Sequence, residues 1–518
     1  MKMEYLINNS LIIGYIYKLL VFIKNKFKNS LIYGLSSSFV KKIEYYLSYS
    51  KIWSYLKRPD YLDTIWQNSF IYRVLDKCLN GPIIFFRKIY LKYEEVFSYS
   101  YIFKFIKFLV SRFEIVIGLT LIFTFIIPDH RWYNAYGVLF TLILLGLFII
   151  KTIIEPTKSI DIFHLDFSLV LFFATIALAT VTSLFPKESI NYFIYYVISF
   201  ITVIIIISSI DSTAKLNRLI ELMLMGTFLT VLYGIWQWKV VGIEVNPSLT
   251  DITVNQSMSG RVFSTMGNPN IYGELLVLTM PFLGTVFFNS KSWWKKIFII
   301  CISLPIVVIL LKTGSRSAWV SFAVAMFIFV FFKNRKLLPF MILIGVLSIP
   351  ILPQSIYKRI LTIFNPNDSS LQYRKQILEP AMPMLRNYWL TGVGLGNQVF
   401  NTIYKRYKSF ALKTVAHTHN LYLQLWLEAG ILAIGAFVLF IFRLVKKSMV
   451  LIFSKKDDSI NNILIACISA IGGLMVMGFA DHVWFYNRIL FLFWIVVGIC
   501  LCGLKLLNKE YQNENLTK

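Results

Sequence analysis

The spacing of apolar and polar positions divides the chain near Val110. Beyond that point long apolar runs recur, most of them close to the roughly 20 residues a helix needs to cross a hydrocarbon core. They predict twelve spans, at 111–128, 132–150, 163–185, 190–210, 219–238, 271–288, 297–311, 318–332, 337–351, 421–444, 460–478 and 489–504. The runs at 297–311, 318–332 and 337–351 are short and need their flanking residues to complete a crossing. Lipid offers the backbone no hydrogen-bond partner, so each predicted span is helical.

Before Val110 a lysine or arginine interrupts the apolar residues every few positions, 17 basic against 7 acidic in residues 1–110. No stretch there is long enough to span. A short motif recurs, Asn-Ser-Leu-Ile at Asn9 and Asn29 and Asn-Ser-Phe-Ile at Asn68, with looser versions beginning at Ser50 and Ser100. Serine caps helix starts, and the segments that follow mix aromatics with lysines. This pattern predicts short amphipathic helices on the cytoplasmic membrane surface, with anionic membrane lipids as partners.

Orientation follows from the connections between the predicted spans. Lys291, Lys295 and Lys296, then Lys333, Arg335 and Lys336, then Arg443, Lys446, Lys447, Lys455 and Lys456 fall on one side. Opposite short connections carry only Arg131 or only Lys187. Basic residues concentrate in cytoplasmic connections, so both termini are expected inside. Two long connections, 239–270 and 352–420, then fall outside, and the second has the apolar spacing of helices. The expected fold is all-α: a polytopic membrane helical bundle of about twelve transmembrane helices. It carries a large helical extracytoplasmic loop and an N-terminal amphipathic cytoplasmic arm. The arm occupies 1–110, the transmembrane domain 111–504, and a cytoplasmic tail 505–518.

Composition agrees. The chain is 57% apolar and 15% charged, whereas soluble domains run near 45–50% and about 25%. The formal charge of +26 suggests nucleic acid until its distribution is considered; clusters between apolar runs read as topology and headgroup signals. No nucleic-acid partner is expected, nor a cleavable signal peptide, because Lys18 and further lysines follow the first apolar stretch. The cysteines Cys78, Cys301, Cys467, Cys500 and Cys502 form no metal-ligand or redox spacing and read as packing residues.

On the predicted outer side stand Arg261, Asn268, Asn270, Glu274, Lys312, Arg316, Arg374, His417, His419 and Asn420. The set lacks a carboxylate cluster of the kind that holds a metal, and neither metal nor cofactor is expected. Arginine grips a diphosphate through a planar, permanently charged fork. Histidine takes up a proton near neutral pH. Together they suit a reaction that expels a diphosphate while deprotonating a hydroxyl. Glu428 lies nine residues past His419, about 13 Å along a helix, and either locks helix packing or tunes the site. Asp481 and His482 close another predicted helix on the same side. The glycines Gly392, Gly394 and Gly396 have no βαβ context and read as a turn shaping the cap.

Four motifs in order carry a resemblance: Arg261-Val-Phe-Ser-Thr-Met-Gly-Asn-Pro-Asn270, Lys312-Thr-Gly-Ser-Arg-Ser-Ala-Trp319, Thr391-Gly-Val-Gly-Leu-Gly396 and His417-Thr-His-Asn420. Over roughly 111–504 the chain resembles the O-antigen ligase and O-antigen polymerase superfamily of membrane glycosyltransferases. The family's histidine motif maps onto His419, Asn420 and Gly430, with Ala433 where Gly, Thr or Tyr is usual. Leu378 and Trp389 depart from the pattern around Arg374.

The resemblance implies transfer of a glycan from an undecaprenyl-diphosphate carrier to an acceptor hydroxyl, outside the bacterial cytoplasmic membrane. Arg316 and Arg374 would bind the diphosphate, Arg261 would be a third anion ligand, and His419 would be base or acceptor guide. Ligase and polymerase differ only in acceptor: a lipid, cell-wall polymer or surface protein for the first, another carrier-linked glycan for the second. A transporter or flippase is the competing class; gathering of the polar residues at one face favours surface chemistry over the broken midplane helices of transporters.

Overall fold

The computed structural model describes residues 61–155, 159–244, 260–362, 368–408, 415–454 and 458–516, with scattered positions between 18 and 54. The motif copies at Asn9 and Asn29 lie outside the described residues. The chain divides into two units, residues 1–58 with 330–352, and residues 59–329 with 353–518. Every site residue considered below belongs to the second.

Among the described residues all regular elements are helical. The arm holds α1 (Tyr61–Asn68), α2 (Phe70–Lys92), α3 (Glu94–Tyr99) and α4 (Tyr101–Ser111). Ser69 and Ser100 cap α2 and α4, accepting from the backbone N–H of Tyr72 and Phe103, as the recurring motif predicts. The bundle follows: α5 (Phe113–Ile126), α6 (Asn134–Ile154), α7 (Phe167–Val181), α8 (Pro186–Ser209), α9 (Thr213–Trp236), α10 (Pro269–Thr279), α11 (Pro281–Asn289), α12 (Trp293–Lys312), α13 (Arg316–Asn334) and α14 (Leu338–Ser348). The segment expected as a helical cap forms α15 (Gln354–Leu361), α16 (Ser369–Tyr388) and α17 (Asn397–Tyr404). The chain ends with α18 (Leu421–Ser454), α19 (Asp458–Met477) and α20 (Asn487–Leu516). The stretch expected as a tail from residue 505 thus continues the last helix.

Nine stretches of described helix are long and apolar enough to span, or ten if α4 and α5, bent by 81° at Arg112, count as one. The difference from twelve lies in two runs whose helices are short, α5 with 14 residues and α7 with 15, and in the runs at 318–332 and 337–351, which form one continuous stretch, Arg316–Ser348. Hydropathy marked all of these as apolar; local breaks shorten α5 and α7, and the absence of a break joins α13 to α14. Burial grades across the bundle. The apolar window of α20 is wholly buried, those of α19 and of the α10–α11 pair nearly so, and that of α12 mostly exposed. A helix apolar all round belongs inside the bundle or against lipid.

Away from the site, a buried charge cluster ties α1 to α7 and α18. Arg443 of α18 donates to Asp63 of α1 (2.8 Å) and to Asp166, the cap of α7 (3.1 Å). Lys447 pairs with the same two carboxylates. Close by in sequence, Lys505 of α20 pairs with Asp161 at 2.9 Å. Helix α1 is therefore anchored by ion pairs, because charges this poorly hydrated must be paired.

One backbone irregularity positions the site. Helix α18 is interrupted at Gly430, whose φ of 78° and ψ of 179° are not helical. The break frees carbonyls for the glycine-rich turn that follows α16: Val393 N–H donates to Leu427 O (2.8 Å) and Gly394 N–H to Glu428 O (3.0 Å). In return, Ile431 N–H donates to Trp389 O (2.9 Å). The Glu428 side chain closes the same seam, accepting from Gly396 N–H (3.1 Å) and from Gln424 Nε2 (2.7 Å). A β-carbon at position 430 would stand 2.1 Å from Leu390 O. Gly430→Ala is therefore expected to destabilise the protein by at least about 2 kcal/mol, read as a lowered thermal midpoint in detergent. An unchanged midpoint would show that the seam is not structural.

Candidate functional site

The site gathers at the end of the bundle where α13, α15, α16, α18 and the α19–α20 turn meet. Arg316, the first residue of α13, forms a two-pronged pair with Asp368, NH2 to Oδ1 at 2.7 Å and NH1 to Oδ2 at 2.9 Å. It also donates to Thr362 O and Oγ1. Asp368 has a second job as the cap of α16, accepting from Ser370 and Leu371 N–H. Burial works against the charge on Asp368, yet the Arg316 guanidinium holds its carboxyl below the usual range. Arg374, in the second turn of α16, feels the charges of Asp481, Arg316 and Asp368.

Arg261 is buried. Its Nε donates to Thr313 O (2.7 Å) and its NH2 to Asn270 Oδ1 (2.6 Å). Burial, and then the neighbouring guanidiniums of Arg359 and Arg316, push it down to about 9. Arg359 on α15 is also buried, near Gly314 O, and burial with Arg316 beside it lowers it to about 10. Both stay protonated near neutral pH. Four guanidiniums thus share one locality against the carboxylates Asp368 and Asp481. Guanidiniums gathered in this way favour an anion among them.

Beside the arginines is the histidine turn. His419 Nδ1 lies 3.0 Å from Asp481 Oδ1. Burial alone would raise Asp481, but the hydrogen bond to His419 and the charges of His419, His417 and Arg374 hold its carboxyl well below the usual range. With Nδ1 directed at the Asp481 carboxylate, Nε2 is the ring nitrogen left to take up a proton. The turn is tight: His419 adopts φ 51°, uncommon for a side-chain-bearing residue. Its N–H donates to His417 Nδ1 at 3.1 Å. Asn420 caps α18 by accepting from Leu423 N–H and crosses to Phe479 O through Nδ2. Asp481, His417 and His419 also have ligand atoms within 4.8 Å of one another.

The structure brings Arg261, Arg316, Arg374, His417 and His419 together. Asn268, Asn270, Asn420 and Glu428 hold backbone or side chains around them: Asn268 caps α10, accepting from Asn270 N–H at 2.8 Å. Glu274 is buried in α10, within electrostatic reach of Asp481. Lys312 lies beside the Arg261 loop, its carbonyl accepting from Val262 N–H at 3.0 Å. Sequence reading missed Arg359 and Asp368 and gave Asp481 no partner. Arg359 sits in an ordinary amphipathic helix; Asp368 is visible only as a cap before Ser369-Ser370; pairing of Asp481 with His419 needs two helices 62 residues apart to meet.

Burial, assisted by His419 and Arg374 and opposed by Asp481, lowers His417 to about 4. The unfolded chain takes up this proton near pH 6.5, before the folded one does. Folded stability is therefore expected to fall as pH drops from about 6.5 to about 4, by on the order of 3 kcal/mol from this group. Thermal midpoints across that interval should fall less steeply for His417→Gln; parallel curves for the two proteins would refute the assignment.

Comparison with known proteins agrees with this geometry. Residues 299–447 match the O-antigen ligase family model, a region that includes Arg316, Arg359, Arg374, His417 and His419. An O-antigen ligase of Salmonella typhimurium is 23% identical over 221 residues, covering 40% of this chain and 54% of that protein. The matched region thus spans about half the length of that relative. Over that region the chain is similar to O-antigen ligases, and its described helices include nine stretches long and apolar enough to cross a membrane.

Proposed function

We propose that the protein is a glycan ligase: it moves a glycan from an undecaprenyl-diphosphate carrier to an acceptor hydroxyl at the outer face of the bacterial cytoplasmic membrane. The observation that carries this reading is the convergence of Arg261, Arg316, Arg359 and Arg374 beside the His419–Asp481 pair. A diphosphate diester is doubly anionic and gains charge as it leaves, so donors placed in advance around it favour the departing state most.

In the reaction His419 Nε2 takes the proton of the acceptor hydroxyl. The acceptor oxygen bonds to the anomeric carbon of the glycan. The bond from that carbon to the diphosphate oxygen breaks, and its electron pair goes to the diphosphate, which the guanidiniums hold. Asp481 keeps the imidazole in the productive tautomer and balances the imidazolium once it forms. Arg316 reaches the donor by exchanging Asp368 for a phosphate, a swap between two anions of matching two-pronged geometry. The family model and the relative are both described as O-antigen ligase, which favours a ligase over a polymerase on the same chemistry. Positive connections on the opposite side of the bundle support an extracytoplasmic site and cytoplasmic termini.

Arg316→Ala and His419→Ala are each expected to abolish transfer of an undecaprenyl-diphosphate-linked glycan while membrane insertion persists. Asp481→Asn should lower kcat by about 10²- to 10⁴-fold. The measurement is glycan transfer by purified protein in detergent, with insertion checked by membrane fractionation. Wild-type rates in the Arg316 and His419 variants would sink this reading.

A further inference from the structure

The Arg261 loop has a charged neighbour that the reaction above does not use. Beyond the end of α9 the chain makes a single wide helical turn, Gln237–Val241, and Trp238 in that turn is shared by two ammonium groups. Lys239 Nζ lies 4.2 Å and Lys312 Nζ 4.5 Å from the centre of its ring. Among the described residues neither lysine has a carboxylate within ion-pair distance, and the two are close enough to repel. The indole face offsets part of that repulsion; an anion between or beside them would remove it.

The surroundings specify what kind of anion. Lys312 ends the apolar run of α12, and the turn ends that of α9, so both lysines stand at a membrane boundary. Trp236, Val240 and Val241 are exposed beside them, Val240 at 71%. Exposed tryptophan and valine with unpaired lysines at the end of apolar helices fit a lipid: chains against the apolar residues, phosphate at the ammonium groups. The patch is also joined to the arginines. Gln237 Oε1 accepts from Phe263 and Ser264 N–H (3.3 and 3.0 Å), Lys312 O accepts from Val262 N–H, and Thr313 O accepts from Arg261 Nε.

We infer that Trp238, Lys239 and Lys312 form a capture site for a lipid phosphate headgroup at the membrane boundary. A lipid-linked diphosphate held there is passed along the Arg261 loop to the guanidiniums. Capture stands on the patch alone; the transfer step rests on the function proposed above. Ordinary phospholipid and lipid-linked donor share the recognised phosphate.

The full chain in detergent micelles would be titrated with undecaprenyl diphosphate and, separately, with phosphatidylglycerol, following binding by thermophoresis. Lys239→Gln with Lys312→Gln is expected to weaken capture by about thirtyfold, and arginine at both positions to restore it. Lys239→Gln alone, at an exposed position, should give part of the loss without risk to folding. Loss confined to undecaprenyl diphosphate assigns the patch to the donor; equal loss for both lipids assigns it to headgroups in general. Unchanged binding of both lipids in the double variant overturns the capture site, even if Arg316→Ala loses the diphosphate. If phosphatidylglycerol binding falls while Arg316→Ala leaves the diphosphate unaffected, capture stands and the proposed ligase site fails.

Discussion

The break in α18 at Gly430 is the constraint on which the site depends. An uninterrupted helix would use the carbonyls of Leu427 and Glu428 internally; here they receive Val393 and Gly394. That exchange fastens the end of α16 to the start of α18, and with it the segment bearing Arg374 to the segment bearing His419. Irregular backbone in a membrane protein is stable only where other protein groups satisfy it, and the Glu428 carboxylate completes that satisfaction through Gly396 and Gln424. A carboxylate that reads in sequence as either packing or catalysis is, in the structure, a clasp on the glycine turn.

On this frame the charges divide by task. Arg261 is committed to a backbone carbonyl and to Asn270, and Arg359 lies buried near Gly314. These two raise the positive potential without being free to move far. Arg316 is different: its partner is a carboxylate that presents the same fork a phosphate would. Asp481 serves both populations, fixing His419 directly and moderating Arg374 by its charge. On the proposed function this geometry is a prearranged anion basin with a base at its edge, where electrostatic stabilisation is most effective.

The opposite demand is met by the cluster of Asp63, Asp166, Arg443 and Lys447. Two cations meet two carboxylates there, so the cluster neutralises itself and holds the arm's first described helix against α18. Balanced charge fastens α1 to α18; on the proposed function, the arginines instead serve the substrate.

Apolar run length determined by itself that the chain is helical and membrane-spanning, since unbroken apolar runs near 20 residues suit a crossing helix, whereas a barrel strand needs only about ten alternating residues. The spacing of serines marked helix starts at Ser69 and Ser100, because a cap acts within one turn. Arg316, Arg374 and His419 were legible through their motifs. Helix length was not: the short α5 and α7 and the continuous α13–α14 stretch depend on breaks and bends that hydropathy does not register. Tertiary structure alone decided that Asp368 occupies Arg316, that Arg359 joins the basin, and that Asp481 meets His419. Each is a pairing between residues far apart in the chain, and charge pairing depends on distance in space, which local sequence pattern does not encode.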